Sequence, residues 1–489
     1  MITERTTTRD WLGTQNEVQF FIHSSSAEPL SVIGVENTSQ YTIQVRAKPL
    51  HNIKPSLPSS FKACFLDSVT GHCQELDTKV GHLMLLLPQL WMLRVPDYKC
   101  YSYGFEVCSD SNKEVVGRAS VLPRQLRNLE GTLTLTLHDV DLLPVGTISV
   151  DYIVVLPCAS LANRKINDQW RLSKLYQWVD TVGHSMIIGH RGNGMTFCLD
   201  QPTDTIENTI ASFEKATELG AIGVEFDVQL TKDLEPVIYH DLMISLNVAP
   251  DHYADVMLKD LTYDQIKSFK LSSKDKSRSP LSSSGVELGG HNKNKVFPHL
   301  REVLEKLPES VFFNVEVKYP FPKRDGEECD YFPYFNRNTI ADVIISTLYQ
   351  YGSKRNMVMS TFDPSLCTML QLKQPQIPVF FLTEGKSSKY PLAVDIRNHS
   401  AYDAVAFSKS QNFAGISVCV DLVNSLSEMI DLMHDHELFI MTWGTRNSLE
   451  EFVSWQNSRK VTAIMCDRIP TQITKSSEVD EDSSSYVNT

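Results

Sequence analysis

No stretch of this chain is apolar for long enough to cross a bilayer. The longest such window, Leu83 to Leu93, is broken by Pro88 and falls far short of the roughly 20 residues a spanning helix needs. Positive charge is also scarce, with 46 Lys and Arg against 59 Asp and Glu, a formal charge of −13. That balance argues against nucleic acid as the main partner, because phosphate backbones are bound by basic stripes. A small phosphate-bearing substrate stays open, since a few local cations suffice for it. The ten cysteines include no C-x-x-C pair and no closely spaced set, so a disulfide framework is excluded and reduced thiols are expected. Met1 to Arg5 lack the apolar segment of a secretory signal, and the expected location is the cytosol. Tryptophans before residue 185 are few: Trp11, Trp91, Trp170 and Trp178.

What is present is the composition of a globular protein, 42% hydrophobic and 21% charged, in a chain too long for one ordinary core. Two domains are expected. Residues 1–160 carry short β-rich runs separated by Pro, Ser, Asn and Asp clusters. Among them are Val18–Ile22, Tyr41–Val45, Tyr103–Val107 and Leu133–Leu137. This is the pattern of an all-β sandwich or barrel, with packing as its first role. Residues 161–184 place Trp170, Leu172, Leu175, Trp178 and Val179 at helical spacing, which predicts a linking helix.

From residue 185 to 474 the pattern becomes strand, helix, strand. Strands are expected at 186–190, 222–230, 311–318, 357–362, 378–383, 403–408, 438–443 and 461–466, with a hairpin arm at 236–240. Helices are expected at 206–219, 299–307, 338–350, 364–373, 424–436 and 447–457; the first has Asp204-x-x-Glu207 as a capping box and Gly220 as a stop. Eight strands alternating with helices over about 290 residues fit an α/β fold of the (β/α)8 TIM barrel type, preceded by the N-terminal all-β domain. Residues 271–295 read as a solvated polar insertion, and the acidic, Ser-rich tail 475–489 as disordered.

Side chains alternate along a strand, so Glu225 and Asp227 project to one side, as do Glu316 and Lys318. A barrel interior lined by three carboxylates requires a counter-charge, because burying an unpaired carboxylate is costly. A hard cation would supply it, and all-oxygen ligands favour Mg²⁺ or Ca²⁺ over zinc. The alternative is a structural ion network in which Glu225 or Glu316 pairs with Lys318 or Arg191. His190 and His240 fall at the C-terminal ends of their strands, where such barrels place their sites, and suit acid–base work near neutral pH. They could instead ligate zinc, although no H-E-x-x-H supports it. Arg191 and Lys318 offer a fork and a point charge for phosphoryl oxygens.

His190-Arg191-Gly192, Glu207-Asn208-Thr209, Glu225-x-Asp227-Val228, Thr231-x-Asp233, His240-Asp241, Glu316-x-Lys318 and Cys466-Asp467-Arg468-Ile469-Pro470 together resemble the glycerophosphodiester phosphodiesterase family. The resemblance covers nearly all of 186–470. The His-Arg-Gly-Asn-Gly opening and the long preceding β-region look most like the cytosolic glycerophosphocholine phosphodiesterases. What the resemblance implies is a divalent cation on Glu225, Asp227 and Glu316, and His190 and His240 as general base and acid. It further implies phosphate binding by Arg191 and Lys318, with Trp443 near the substrate. The implied reaction releases choline and sn-glycerol 3-phosphate from glycerophosphocholine through a cyclic phosphate. A catalytically idle binding barrel and a phospholipase C-like lipid enzyme are the alternatives.

Three features depart from the family pattern. The turn after Thr231-Lys232 is Asp233-Leu234 in place of Asp-Gly, so the favoured glycine geometry is not expected there. Residues Met195 to Thr205 form an insertion before Glu207. The starch-binding module that often opens relatives of this type has no clear counterpart, leaving a carbohydrate or a protein as ligand for the N-terminal domain.

Overall fold

The computed structural model describes residues 11–23, 29–36, 38–50, 60–77, 82–83, 87–162, 184–198, 201–202, 205–249, 252–268, 296–385 and 389–470. Residues 163–183 of the expected linking helix, the 271–295 insertion, Asp204 of the capping box and the 475–489 tail lie outside these residues.

Strands between Asn16 and Val155 pair antiparallel throughout, and the four β-rich runs singled out above all lie within strands. The first strand, Asn16–Ile22, lies between Gln89–Val95 and Pro144–Val155. Phe20 on it meets Tyr103 and Phe105 edge-on at 5.6 and 5.1 Å, although Tyr101–Ser109 is several strands away along the sheet. The sheet therefore folds back on itself, and the alternate residues of its two halves close a core of Val18, Phe20, Ile43, Trp91, Tyr103 and Phe105.

Eight parallel strands form the second unit: β1 Met186–Gly189, β2 Gly223–Leu230, β3 Phe312–Val317, β4 Met357–Thr361, β5 Val379–Thr383, β6 Gly415–Cys419, β7 Phe439–Trp443 and β8 Ala463–Cys466. β8 pairs with β1 and β1 with β2, which closes the barrel. The principal outer helices are α1 Ile210–Glu218, α2 Leu300–Lys306, α3 Arg337–Tyr351, α4 Pro364–Leu372, α5 Ala401–Ser410, α6 Glu428–Asp435 and α7 Glu450–Ser458. Outward residues of the strands, such as Val224, Phe226, Phe313 and Val315, pack on these helices. Inward residues Met186, Ile188, Phe312, Val358, Phe380, Met441 and Met465 fill the lumen, so the barrel is a packed body with its opening at the strand ends.

One strand is displaced from its expected place. Residues 403–408 belong to α5, and the sixth strand is Gly415–Cys419. Ser400 caps α5 by accepting the Asp403 amide at 3.1 Å, which commits the apolar run after it to a helix. The expected helix 424–436 is split, with Val420–Ser425 and α6 on either side of Leu426. The first helix likewise starts later than expected, with Thr209 as its N-cap accepting from the Ser212 amide.

The turn at Asp233-Leu234 does adopt the glycine-type geometry. Leu234 has φ +63°, held by the Leu234 amide on Thr231 O at 2.9 Å and by Thr231 Oγ1 donating to Asp233 at 2.6 Å. A leucine there costs roughly 1–2 kcal/mol in backbone strain. Leu234→Gly should stabilise the chain by about 0.5–1 kcal/mol, the entropy of glycine offsetting part of the relief. A lower urea midpoint for the variant would count against this.

The two units share one core. Leu12, Phe21, Leu66, Leu90, Met92, Ile153 and Val155 of the β-domain pack with the barrel helices. Asn338 on α3 donates to Val154 O and accepts from the Leu156 amide, both at 2.9 Å. The amide of Leu12 donates to Leu372 O. Burial of this face makes the β-domain part of the barrel's support.

Candidate active site

At the C-terminal mouth of the barrel, β2 turns Glu225 and Asp227 inward and β3 does the same with Glu316. Ligand oxygens of the three carboxylates lie within 4.8 Å of one another. Glu225 and Asp227 are 2% and 1% exposed, and Glu225 Oε1 and Asp227 Oδ1 have no hydrogen-bond partner. Burial, followed by the charge of Asp227, pushes Glu225 up to about 8. Asp227 is held well below the usual carboxylate range. Burial opposes this, but His240, Lys318 and Arg191 outweigh it. Such a pair has a large desolvation cost unless a positive charge sits between its members. The donors are all oxygen, Glu225 Oε1 has no partner, and Asp227 Oδ1 has only the Lys318 ammonium at 3.4 Å, so the cluster suits a hard divalent cation.

The ion network considered as an alternative exists in part. Lys318 Nζ reaches Glu316 at 2.8 Å and Asp227 at 3.4 Å. Arg191 uses its guanidinium on Glu207 at 2.6 Å and only its backbone N–H on Glu225, at 2.8 Å. Neither cation satisfies Glu225 Oε1. Arg191 Nε, buried and without a hydrogen-bond partner, stands 3.7 Å from Asp227, so part of the fork remains available to an anion at the mouth.

His190 follows β1 and His240 follows the arm Pro236–Ile238, which pairs antiparallel with β2. Each ring is braced at Nδ1 by a carboxylate: Asp467 on His190 and Asp241 on His240, both at 2.7 Å. With Nδ1–H donated there, Nε2 is left for chemistry. On His190 that atom lies 3.9 Å from Glu225. Burial lowers both rings' proton affinity. At His190 the Asp467 carboxylate overrides it and pushes the value up to about 9. At His240 burial, Arg191 and Lys318 together keep the value below its ordinary one.

The support for these groups comes from residues to which sequence reasoning attached no role. Asn208, at φ +58°, donates to Asp227 Oδ2 at 2.8 Å. Asp467 also accepts the Met195 amide at 3.1 Å. Gly194 has φ +87°, and a Cβ there would fall 1.9 Å from Asp467 O, so only glycine lets this loop close on the residue that holds His190. Within the insertion, Phe197–Cys198 pairs antiparallel with Gln201–Pro202. Its base is tied to Glu207, which accepts the Thr196 amide at 2.8 Å. Asn208, Glu207 and Asp467 all sit inside the motifs that signal the site. Trp443, the last residue of β7, is half-buried at the mouth with its indole N–H unpaired.

A closed barrel whose mouth gathers acids, two braced imidazoles and two cations defines a phosphodiesterase of the (β/α)8 class. Comparison with known proteins is more specific. The model of the Glycerophosphoryl diester phosphodiesterase family matches residues 190–471, more than half of the chain, and the chain belongs to that family. A model of the GDE1-like C2 domain matches residues 37–159, which classes the β-rich unit as C2-like. The chain is similar to glycerophosphocholine phosphodiesterase GPCPD1 of Rattus norvegicus, 29% identical over 491 residues, covering 90% of this chain and 71% of the relative. The Homo sapiens protein of that name is 29% identical over 499 residues, covering 94% and 72%. Glycerophosphocholine phosphodiesterase GDE1 of Candida albicans is 29% identical over 416 residues, covering 73% of this chain and 34% of its own length.

Proposed function

We propose that the chain hydrolyses glycerophosphocholine to choline and sn-glycerol 3-phosphate in glycerophospholipid catabolism, using Mg²⁺ or Ca²⁺ held by Glu225, Asp227 and Glu316. The observation that carries this is the convergence of three inward carboxylates, with the buried Glu225 Oε1 left without a partner, between two histidines braced by acids. The names of the relatives support the choline diester as substrate.

Arg191 and Lys318 bind the phosphoryl oxygens, and Trp443 flanks the substrate. The two ring environments favour the opposite of the order implied by the resemblance. His240, kept neutral, takes the proton of the glycerol 2-hydroxyl as its oxygen attacks phosphorus. His190, kept protonated, gives its proton to the choline oxygen as the P–O bond breaks. The roles then reverse: His190 draws a proton from water as it opens the cyclic phosphate, and His240 returns its proton to the glycerol oxygen. When bound, the cation polarises a phosphoryl oxygen and offsets charge gathering there.

The same reading divides the chain into a β-rich accessory domain at 1–160, a linking segment at 161–184, the catalytic barrel at 185–474 and an acidic tail at 475–489. It places the protein in the cytosol. Supporting this, no helix among the described residues is long and apolar enough to cross a membrane, and the described cysteines are unpaired.

Purified protein offered glycerophosphocholine and its ethanolamine and inositol counterparts should release glycerol 3-phosphate with Mg²⁺ or Ca²⁺ and none with chelator. No turnover of any diester with either cation would end the hydrolase reading in favour of a binding role. The pH profile of kcat/KM should be bell-shaped. Its acidic limb lies below the ordinary histidine value because His240 must be neutral. Its alkaline limb lies no higher than about 9, where His190 loses its proton. A rate still climbing above that limit would contradict the pairing.

A further inference from the structure

Three aromatic rings meet at the barrel mouth although their strands do not. Phe362 follows β4, Tyr390 lies in the segment after β5, and Trp443 ends β7. β4 and β7 are separated by β5 and β6, so a contact between residues at their ends has to cross the opening. Phe362 meets Trp443 with ring centres 5.7 Å apart at 85°, and Tyr390 meets Trp443 at 5.8 Å and 49°. At these angles the rings stand as walls and do not form a flat stack. All three are only half-buried, and Trp443 rests on the hydrophobic plug that fills the lumen. The three acids and His190 descend from β1, β2 and β3, and His240 from the arm beside β2, so the aromatic walls occupy the other side of the same mouth.

We infer that Phe362, Tyr390 and Trp443 form a subsite for a quaternary ammonium group, which rests on the phosphodiesterase reading of this site and makes choline its preferred leaving group. A trimethylammonium head offers no hydrogen-bond donor, and its charge is spread over methyl groups. Aromatic faces bind such a head through their negative potential, worth roughly 0.5–2 kcal/mol per ring. The aromatic lining already attracts cations of the chain itself. The Lys323 ammonium lies 3.8 Å from the centre of Phe321, whose ring packs against Phe362 at 5.2 Å, and Lys389 stands 5.1 Å from Tyr390. Glu384 neutralises Lys323. Lys389 is exposed, hydrogen-bonded to Tyr390 and carries a compact, strongly hydrated charge, so a more weakly hydrated cation competes with it for the Tyr390 face.

The test uses the full chain and two variants, Phe362→Leu and Tyr390→Leu, with folding checked by thermal melting. Tetramethylammonium binding is followed by calorimetry, and KM is measured for glycerophosphocholine and for glycerophosphoglycerol. Expected results are weakened tetramethylammonium binding and a KM for the choline diester raised roughly tenfold in either variant. The kcat and the KM for glycerophosphoglycerol should stay within about twofold. Equal KM changes for both diesters, or tetramethylammonium bound alike by wild type and variants, would overturn the subsite. Should one variant fail to fold, the other carries the same comparison. A wild type without turnover of any diester would defeat the hydrolase reading alone, because tetramethylammonium binding still decides the aromatic subsite.

Discussion

Glu225→Gln is expected to reduce turnover by a factor of about a thousand or more while leaving the fold as stable as before, or more so. Glu225 is buried beside a second carboxylate that is held ionised, and its Oε1 finds no donor. In the metal-free chain its carboxyl must take up a proton to stay buried near neutral pH, which costs stability, and an uncharged isostere removes that cost. With the cation present the effect reverses, because the variant loses one of three ligands. The wild type should gain thermal stability on adding Mg²⁺ or Ca²⁺, and Glu225→Gln should not. Thermal melts of both proteins with cation and with chelator check this alongside the rate. A variant that keeps its metal-induced shift and its turnover would show that the cation is held elsewhere.

Arg337→Met is expected to destabilise the chain by about 3–5 kcal/mol, the largest stability effect we foresee from one side chain. Arg337 is the first residue of α3. Its guanidinium makes two bonds to Asp363, at 2.8 and 2.7 Å, and comes within 2.9 Å of Glu130 in the β-domain. It also lies on the ring of Tyr319 at 4.2 Å. Asp363 in turn caps α4 through the Leu366 amide at 2.6 Å. Without the cation two carboxylates face each other between the domains, and Glu130 is already pushed up by burial. Adding Glu130→Gln to Arg337→Met should recover part of the loss. If the double variant melts no higher than the single one, Glu130 is not part of the cost.

The motif residues were legible because each is tied to a local pattern. Glu225 and Asp227 share a face by strand alternation, and His190 and His240 were expected at strand ends. Their braces were harder to read: Asp467 is remote in sequence from His190, and no periodicity links the two. Ala404-Val405-Ala406-Phe407 is apolar throughout, and such a run reads equally as a buried strand or a buried helix. The Ser400 cap decides for helix. The true strand, Gly415 to Cys419, is five residues long and buried along its whole length, leaving little alternation to detect. At Leu234 the residue type argued against a left-handed turn, yet the hydrogen bonds of Thr231 and the pairing of the arm with β2 impose one.

Local chemistry, carried by the order of residues, determined that this chain builds strands alternating with helices, with acids, imidazoles and cations at the strand ends. Only the closed barrel decided which of those groups meet, because closure brings β8 beside β1 and so Asp467 onto His190. The aromatic walls are entirely a product of tertiary structure. Phe362, Tyr390 and Trp443 belong to no common motif, and they touch only because a ring of eight strands turns distant chain segments toward one opening.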